Sequence, residues 1–331
     1  MTRITNIPNL EGYGVFVDDI DFKNLSRQEW MDLGKLHMKK LVMIIRKTGL
    51  DKKSFHQVIK KWGKSRQNYA ATLFTKYPWA EGNFRKVLTS PDVDKHDKDI
   101  IREYWKIGGC NYKQGNILRV AEENGLFGSG ELLWHSNESG DIAFTPAVAL
   151  MGEHGMCNSA TGFMVTTPYY YSVSDSMRSE LDEMILTHNF QTGKINVEDE
   201  NLFLYKNMCP EPTEIPLVIQ SPAGIKGLHY PYNTVIGSNN DRLLAEVKKG
   251  LEKYTYDYWW ENDDDLLIFD NSIVQHRRLG DTKDRLCHRY QFDYTYLQYK
   301  VTKQNYIPYS QEPYRSRYVM KMNIIGSMLK H

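Results

Sequence analysis

Two histidines that lie far apart in the chain each follow an apolar run, and their surroundings suit a metal ion. The stretch "LLWHSNESGDIAF" places His135 directly after such a run, and Asn137 follows after one intervening residue. A second run, "LLIFDNSIVQH", ends at His276. Neutral imidazole is a common ligand of first-row metals, and a carboxylate often completes the set. Either histidine alone is more typical of a core or rim position, but together they predict a metal site.

The segment after His276 adds two arginines to one face of a predicted strand. The sequence "LGDTKD" indicates a turn, so we predict a hairpin in which the first strand ends at His276 and the next begins at Arg285. Alternate residues of a strand share a face. One face is polar: Arg285, Cys287, Arg289, Gln291 and Asp293. The other is largely apolar and aromatic: Leu286, His288, Tyr290, Phe292 and Tyr294. If the polar face points inward, it would line a binding cavity.

The composition excludes several classes of function. Apolar residues make up 41% and charged residues 25% of the 331 residues, and the net charge is +1, so nothing favours nucleic-acid or membrane binding. The four cysteines form no CxxC motif, which indicates free thiols in a reducing compartment. The N-terminal segment lacks an apolar stretch of signal-peptide length, and no apolar run is long enough to span a membrane. We therefore expect a cytoplasmic protein.

The periodicity predicts helices first and then mostly strands. Helices are predicted at 26–40, 51–64, 174–190 and around 241–254, with Ser26 and Ser174 as N-caps. Short strands dominate the chain after residue 115, which favours a β-sandwich or jelly roll over alternating βαβ units. No glycine-rich phosphate motif stands at a strand-to-helix junction. We predict one domain over 1–331, with about 300–331 as its C-terminal extension and no clear pattern in 65–115.

The order and spacing of several segments resemble the taurine dioxygenase (TauD/TfdA-like) family of iron(II)/2-oxoglutarate-dependent oxygenases. That family has a His-x-Asp pair, a distant His, and an Arg shortly after it. The resemblance covers most of the chain and is carried by segments such as "GVFVDDIDFKNLS", "NSATGFM", "IPLVIQSPAGIKGLHYPYN" and "FDNSIVQHRRLGDTKDRLCHR". The individual motifs are moderately specific, and their order is the stronger signal.

This resemblance implies a fold, a reaction and a set of residues. The fold would be mainly β with α additions, a double-stranded β-helix (jelly roll) with flanking helices. The activity would be a dioxygenase that uses Fe(2+), O2 and 2-oxoglutarate to hydroxylate a small polar or anionic molecule, releasing succinate and CO2. The implied metal ligands are His135, Asn137 and His276, and no catalytic residue beyond them is implied. Thr161 and Arg285 would bind 2-oxoglutarate, and Arg289 would bind the substrate.

The departure from the family pattern is Asn137, because the family has Asp, or sometimes Glu, at this place. Asn137 could be a weak neutral ligand of a working enzyme, mark a halogenase-like site open to chloride, or mark a catalytically impaired member. Glu138 or Asp141 could replace it as ligand, although Glu138 points to the opposite face of a regular strand. A non-catalytic descendant that binds a small acid is a further alternative. The sequence does not fix the substrate, and it leaves a homo-oligomer open.

Overall fold

The structure is a computed structural model, and the residues that it describes are 2–65, 79, 84–95, 97–98, 117–120, 130–137, 146–189, 212–281 and 285–294. They form mostly strands with some helices, as predicted. The helices are α1 (Arg27–Lys39), α2 (Lys52–Trp62), α3 (Phe84–Thr89), α4 (Thr167–Ser172), α5 (Asp175–Asp182) and α6 (Asp241–Leu251). No helix in these ranges is long and apolar enough to cross a membrane.

The strands alternate with these helices along the chain. The first of them are β1 (Arg3–Asn6), β2 (Gly14–Asp18), β3 (Val42–Ile45), β4 (Lys64–Ser65), β5 (Ile117–Val120), β6 (Leu132–His135), β7 (Ala147–His154), β8 (Ser159–Val165) and β9 (Ile185–His188). The later ones are β10 (Thr213–Pro216), β11 (Val218–Gln220), β12 (Lys226–Leu228), β13 (Val235–Ser238), β14 (Thr255–Trp259), β15 (Leu266–Asp270), β16 (Val274–Gly280) and β17 (Leu286–Asp293).

Two sheets carry the candidate site. The larger has eight strands in the order β1-β2-β3-β15-β7-β17-β4, with β5 also paired to β17. The smaller has four strands in the order β14-β8-β16-β6. Within the part of the chain that the structure describes, β2 and β3 are the only parallel neighbours, and every other pairing is antiparallel.

Helices α1 and α2 cover the outer face of the larger sheet. The first begins at Ser26, whose hydroxyl accepts from the Glu29 N–H at 3.2 Å, while the Glu29 carboxylate accepts from the Ser26 N–H at 2.7 Å. This reciprocal capping box was predicted from the sequence. The second helix begins at Asp51, which accepts from the Ser54 N–H at 2.7 Å. Both helices therefore start where side chains satisfy their first N–H groups.

The core has one apolar layer on each face of the larger sheet. The outer layer joins residues of both helices to one face of the strands, for example Phe55, Trp62 and Tyr290. The inner layer lies between the two sheets and includes Phe163 of β8 and Phe269 of β15, whose ring centroids are 5.2 Å apart. Because successive strand residues point to opposite faces, β17 contributes to both layers. The candidate site lies between the two sheets.

The alternation predicted for β17 is confirmed. Tyr290 and Phe292 belong to the outer apolar layer under the helices, whereas Cys287 belongs to the layer between the sheets. The polar face that carries Arg289 therefore points inward, toward the smaller sheet. This orientation was the condition under which we expected the face to line a cavity.

The predicted hairpin between His276 and Arg285 is wrong. Strand β16 does not end at His276 but continues to Gly280, and it pairs with β6 and β8 of the smaller sheet. Strand β17 pairs with β7, β5 and β4 of the larger sheet. The sequence "LGDTKD" indicates that the first strand ends, but it does not indicate which strand the next one pairs with. The two strands therefore face each other across the core instead of lying side by side.

The helix predicted over 174–190 is also partly wrong. The cap at Ser174 is present, and its hydroxyl accepts from the Met177 N–H at 3.3 Å, but α5 ends at Asp182. The remaining residues form β9, which pairs with β10 on one side and β13 on the other. Pairing with two strands overrides the helical pattern, because residues such as Ile185 and Thr187 are β-branched and suit a strand.

Replacing Gly152 with alanine is expected to destabilise the strand that packs between these layers. A Cβ at Gly152 would lie 2.3 Å from the carbonyl oxygen of Asp263 and 2.4 Å from Cγ of Met156. Such overpacking costs about 1–3 kcal/mol of unfolding free energy. Gly237→Ala is the matched control, since nothing lies within 4 Å of its added methyl group, and it should change stability by less than about 0.5 kcal/mol. Equal urea midpoints for the two variants would contradict this packing.

Candidate functional site

The two histidines singled out from the sequence lie side by side. His135 is the last residue of β6, and its register partner on β16 is His276. Their ring centroids are 4.1 Å apart, with the ring planes tilted by 47°. The ring of His276 also packs against Phe269 of the larger sheet, with 4.8 Å between the centroids. Strand pairing thus brings together two imidazoles that are widely separated in sequence, at the edge of the space between the sheets.

The hydrogen bonding of the two rings suits metal binding. Nδ1 of His135 lies 2.7 Å from the carbonyl oxygen of Leu133. Because a carbonyl only accepts, Nδ1 carries the proton, which leaves the Nε2 lone pair available as a ligand. In His276, Nδ1 is buried without a hydrogen-bond partner among the described residues. The ring nitrogens are therefore not fully used by the protein itself.

Both imidazoles are neutral at physiological pH. The pKa of His135 is lowered to about 4, mainly by burial; the hydrogen bond to Leu133 raises it, and the positive charges of Arg289 and Arg278 lower it. Burial also lowers the pKa of His276 well below its ordinary value, and repulsion from the protonated form of His135 and from Arg289 acts in the same direction. Neutral imidazole is the form that binds a metal, so binding releases little or no proton from these rings near pH 7.

Asn137 is held beside the histidines by a reciprocal pair of bonds. Its N–H donates to Oδ1 of Asn271, and its carbonyl accepts from Nδ2 of Asn271, both at 2.9 Å. The side-chain Oδ1 accepts from Nη1 of Arg289 at 3.3 Å, and the buried Nδ2 has no partner in the described part of the chain. The backbone of Asn137 is therefore fixed, and its amide oxygen faces a guanidinium.

These residues fit a metal ion in part. Two neutral imidazoles with unused nitrogen lone pairs suit a first-row metal, and an amide oxygen can add a neutral third ligand. Within the described ranges, no group of three or more His, Cys, Asp or Glu is placed to hold a metal. The two alternative carboxylates, Glu138 and Asp141, lie outside the described residues. Among the described residues, the candidate ligands are thus His135, His276 and the amide of Asn137, and they carry no negative charge.

The two residues expected to hold a carboxylate share one neighbour, Trp260. The indole Nε1 of Trp260 donates to the hydroxyl of Thr161 at 3.1 Å. The guanidinium of Arg285 lies 5.8 Å from the centroid of the Trp260 ring, within cation–π range. Because the Thr161 oxygen accepts from the indole, its own hydroxyl hydrogen is available to donate to an anion. Trp260 thereby orients both residues.

Arg285 is a buried cation whose hydrogen-bonding groups are only partly used. Its residue exposure is 4%, and its Nε and Nη1 have no hydrogen-bond partner among the residues described. Burial lowers the pKa of this guanidinium, but at neutral pH it stays charged. A buried charge with unused donors is costly unless an anion approaches it. A buried guanidinium with unused donors is therefore suited to bind a carboxylate.

The sequence analysis missed Arg278, a second buried arginine in the same neighbourhood. Burial and the charge of Arg285 lower the pKa of Arg278 to about 10. Burial raises the pKa of the Cys287 thiol, while Arg285, Arg278 and Arg289 act to lower it, so all three arginines are near enough to this cysteine to influence its charge. The signal was the alternation after His276, since Arg278 shares its strand face. We overlooked it because we ended the strand at His276.

Three further histidines lie away from the histidine pair. His154 is exposed at the end of β7. His188 and His229 are buried and stacked, with ring centroids 5.6 Å apart. Nδ1 of His188 lies 3.1 Å from the Thr234 hydroxyl, and Nδ1 of His229 donates to the carbonyl of Ser272 at 2.7 Å. These bonds give the two stacked rings a structural role.

No family model and no curated protein matches this sequence, but solved structures match its fold. A Burkholderia xenovorans protein provisionally assigned as an alpha-ketoglutarate-dependent taurine dioxygenase has a TM-score of 0.61 at 15% identity, covering 88% of this chain and 92% of that one. A taurine dioxygenase from the same organism gives 0.58 at 14% identity, covering 88% and 89%. The chain has the fold of these dioxygenases.

A third structure with this fold contains a bound metal ion and a bound small acid. AAD-2 in complex with Mn(II) and N-oxalylglycine gives a TM-score of 0.57 at 16% identity, with 88% of this chain and 97% of the other covered. In the present chain, the same fold brings two neutral imidazoles to one place and buried guanidiniums to the adjoining space between the sheets. That arrangement can hold a divalent metal next to an anionic ligand.

Proposed function

We propose that this protein is an iron(II)/2-oxoglutarate-dependent dioxygenase that hydroxylates a small polar or anionic molecule. The observation that carries the proposal is the pairing of His135 with His276, at a ring-centroid distance of 4.1 Å. Buried arginines adjoin that pair and supply the positive charge that a dicarboxylate needs. The fold shared with proteins described as dioxygenases supports it. Decarboxylation of 2-oxoglutarate to succinate and CO2 would be coupled to the hydroxylation.

In this proposal the whole chain, 1–331, forms one oxygenase domain, with about 300–331 as its extension. The two facing sheets are the walls of a double-stranded β-helix, or jelly roll. The inner apolar layer that includes Phe163 and Phe269 fills one part of the space between them. The polar groups around His276 would line another part, where the substrate would bind.

Each side chain of the site would have a separate task. His135 and His276 would hold iron(II) through neutral imidazole nitrogens, and the Asn137 amide oxygen would be the third, uncharged ligand. When bound, iron(II) would supply the activation of O2 that drives oxidative decarboxylation of 2-oxoglutarate. Arg285 and the Thr161 hydroxyl would bind the cosubstrate carboxylate that lies farther from the metal, because planar guanidinium matches a carboxylate.

The remaining arginine on the inner face of β17 would recognise the substrate. Arg289 is half-buried and already donates to the Asn137 amide oxygen at 3.3 Å, a long hydrogen bond. An anionic substrate would compete for this guanidinium and would release the amide oxygen toward the metal. Because Arg289 contacts Asn137, it would couple substrate binding to completion of the ligand set.

The direct test measures succinate formed from 2-oxoglutarate by the purified protein with iron(II) and O2, alone and with small anionic candidates. The His276→Ala variant gives the background. We expect succinate above that background, increased by a true substrate. Binding of metal and 2-oxoglutarate without any succinate would instead indicate a catalytically impaired member, and succinate formed only with chloride present would indicate the halogenase-like alternative. Failure to bind either metal or 2-oxoglutarate would overturn the proposal.

Replacing Arg285 with glutamine should weaken 2-oxoglutarate binding by about 1.5–3 kcal/mol, the range for hydrogen bonds to charged groups. The change removes a buried charge whose Nε and Nη1 otherwise have no partner among the described residues, so folding stability should not fall. Isothermal titration with Mn(II) in place of iron(II) measures the affinity without turnover. An affinity equal to that of the unmodified protein would assign Arg285 to structure.

A further inference from the structure

Strand β1 forms one edge of the larger sheet. Among the described residues it pairs with β2 on one side only, and all of its residues are exposed. Such an edge presents N–H and C=O groups that are a template for pairing with another chain. Ile4 lies within this strand, and its apolar side chain is 51% exposed. The edge is therefore a surface to which a further strand can be added.

An apolar groove runs between this edge strand and α1. Its volume is about 360 Å³, and Ile4 lines it together with residues along the whole helix as far as Lys39. The neighbouring Arg3 points to the other face of β1, where its Nη2 donates to Asp18 at 3.1 Å. The apolar part of the lining consists of Ile4, Ile20, Leu25, Leu33 and Leu36. The open strand edge and the apolar groove thus form one continuous surface.

The charged residues along the groove are arranged so that the surface complements a copy of itself. Glu29 and Asp32 lie in the N-terminal half of α1, and Lys35 and Lys39 lie in its C-terminal half, all four exposed. The helix dipole favours this order only within the first and last turns, whereas Asp32 and Lys35 flank the middle of the helix. Within one chain these two form an exposed ion pair at 3.3 Å, which contributes little to stability. Their charges are therefore available to a second helix that runs in the opposite direction.

We propose that this surface is the interface of a homodimer in which β1 pairs antiparallel with β1 of a second copy. A two-fold axis normal to the sheet reverses every direction within the sheet plane, so the two α1 helices also run antiparallel, on the same face. Asp32 then faces Lys35 of the partner subunit, and the same contact recurs on the other side of the axis, as an isologous interface requires. The two Ile4 side chains meet near the axis and cover the groove. This inference goes beyond the proposed function and rests on the fold alone.

Sedimentation of the full-length protein by analytical ultracentrifugation tests the strand pairing. The unmodified protein should sediment with twice the mass of the chain. Ile4→Lys places two like charges near the axis on a strand edge, and should weaken dimerisation at least about 10-fold. Ile236→Lys is the matched control, because Ile236 is an apolar residue that is 46% exposed on β13 of a different sheet. The control should dimerise as the unmodified protein does.

The charge complementarity is tested with two variants that should fail alone and rescue each other. Asp32→Lys and Lys35→Glu each place like charges opposite each other on the antiparallel helices, so each variant alone should dimerise at least about 10-fold more weakly. An equimolar mixture restores attraction at both contacts and should form the heterodimer, which native mass spectrometry separates from either homodimer. Glu29 stays unchanged in both variants, because its carboxylate caps the start of α1.

The outcomes decide whether the second copy is the occupant of the groove. A monomeric unmodified protein overturns the proposal, because the groove would then serve a different partner. A dimer that none of these substitutions weakens also overturns it, because another surface would hold the two copies together. Should Ile4→Lys not fold, as judged by circular dichroism, the mixture decides. A mixture that forms no more heterodimer than homodimer then overturns the proposal.

Discussion

Replacing His276 with alanine is expected to reduce the affinity for divalent metal by at least about 100-fold. Removing a residue that only hydrogen-bonds to a metal ligand already lowers metal affinity or activity 10- to 100-fold. The imidazole of His276 would be a direct ligand. The loss should be severe here, because the candidate ligands among the described residues include only two imidazoles and no carboxylate. The remaining His135 and the Asn137 amide would leave the metal with one strong donor. Calorimetric titration with Mn(II) measures the change.

The control for His276→Ala is a buried histidine that lies elsewhere. His188→Ala removes an imidazole of similar burial, one that is stacked on His229 away from the site. It should lower the melting temperature without changing metal affinity, whereas His276→Ala should change both. If the two variants bind Mn(II) equally well, the paired histidines are part of the core packing and the proposed function loses the observation that carries it.

The sequence predicted those features that depend on local spacing. The two faces of β17 followed from alternation alone, because period-two geometry places Tyr290 and Cys287 on opposite faces, although only the structure shows that Tyr290 points outward. The caps at Ser26 and Ser174 were likewise predictable, because a cap involves residues only three apart. The histidines and Arg285 could be selected only as a combination whose spacing resembles a known family.

What the sequence could not provide was the pairing of distant strands. The hairpin prediction failed because the chain passes after Gly280 from the smaller sheet to the larger one, and nothing in the local sequence distinguishes that crossing from a hairpin. The same error hid Arg278, which lies beyond the predicted end of the strand. The contact between Arg289 and Asn137 was equally unpredictable, since it joins residues of two elements that meet only through the fold.

Restoring the carboxylate at position 137 is the change that should strengthen the metal site most. Asn137→Asp alters the side-chain volume very little, and its backbone bonds to Asn271 do not involve the side chain that changes. The new charge would face iron(II) directly, where a hard anionic oxygen is a better ligand than a neutral amide. We expect metal affinity to rise at least about 10-fold, equivalent to about 1.4 kcal/mol, and 2-oxoglutarate turnover to be at least as fast.

The hydrogen bond from Arg289 should limit how much the metal affinity of Asn137→Asp rises. In the present chain Nη1 of Arg289 donates to the Asn137 amide oxygen, and a carboxylate would accept the same bond more strongly because it is charged. The guanidinium therefore competes with the metal for one oxygen of Asp, although a carboxylate has a second oxygen that the metal can use. An anionic substrate that draws Arg289 away should increase the advantage of Asn137→Asp, whereas for the unmodified protein it should change metal affinity less.

A series of three side chains at position 137 identifies the role of the amide. If its oxygen is a ligand, metal affinity should follow the order Asp, then Asn, then Ala. If the amide only accepts the hydrogen bond from Arg289, the metal affinity of Asn137→Ala should equal that of the unmodified protein. Only Asn137→Asp should then bind the metal more tightly. Equal affinities for all three would place position 137 away from the metal and direct attention to Glu138 and Asp141. A tighter but slower Asp variant would mean that the neutral amide sets the rate of the reaction, since stronger metal binding would then oppose turnover.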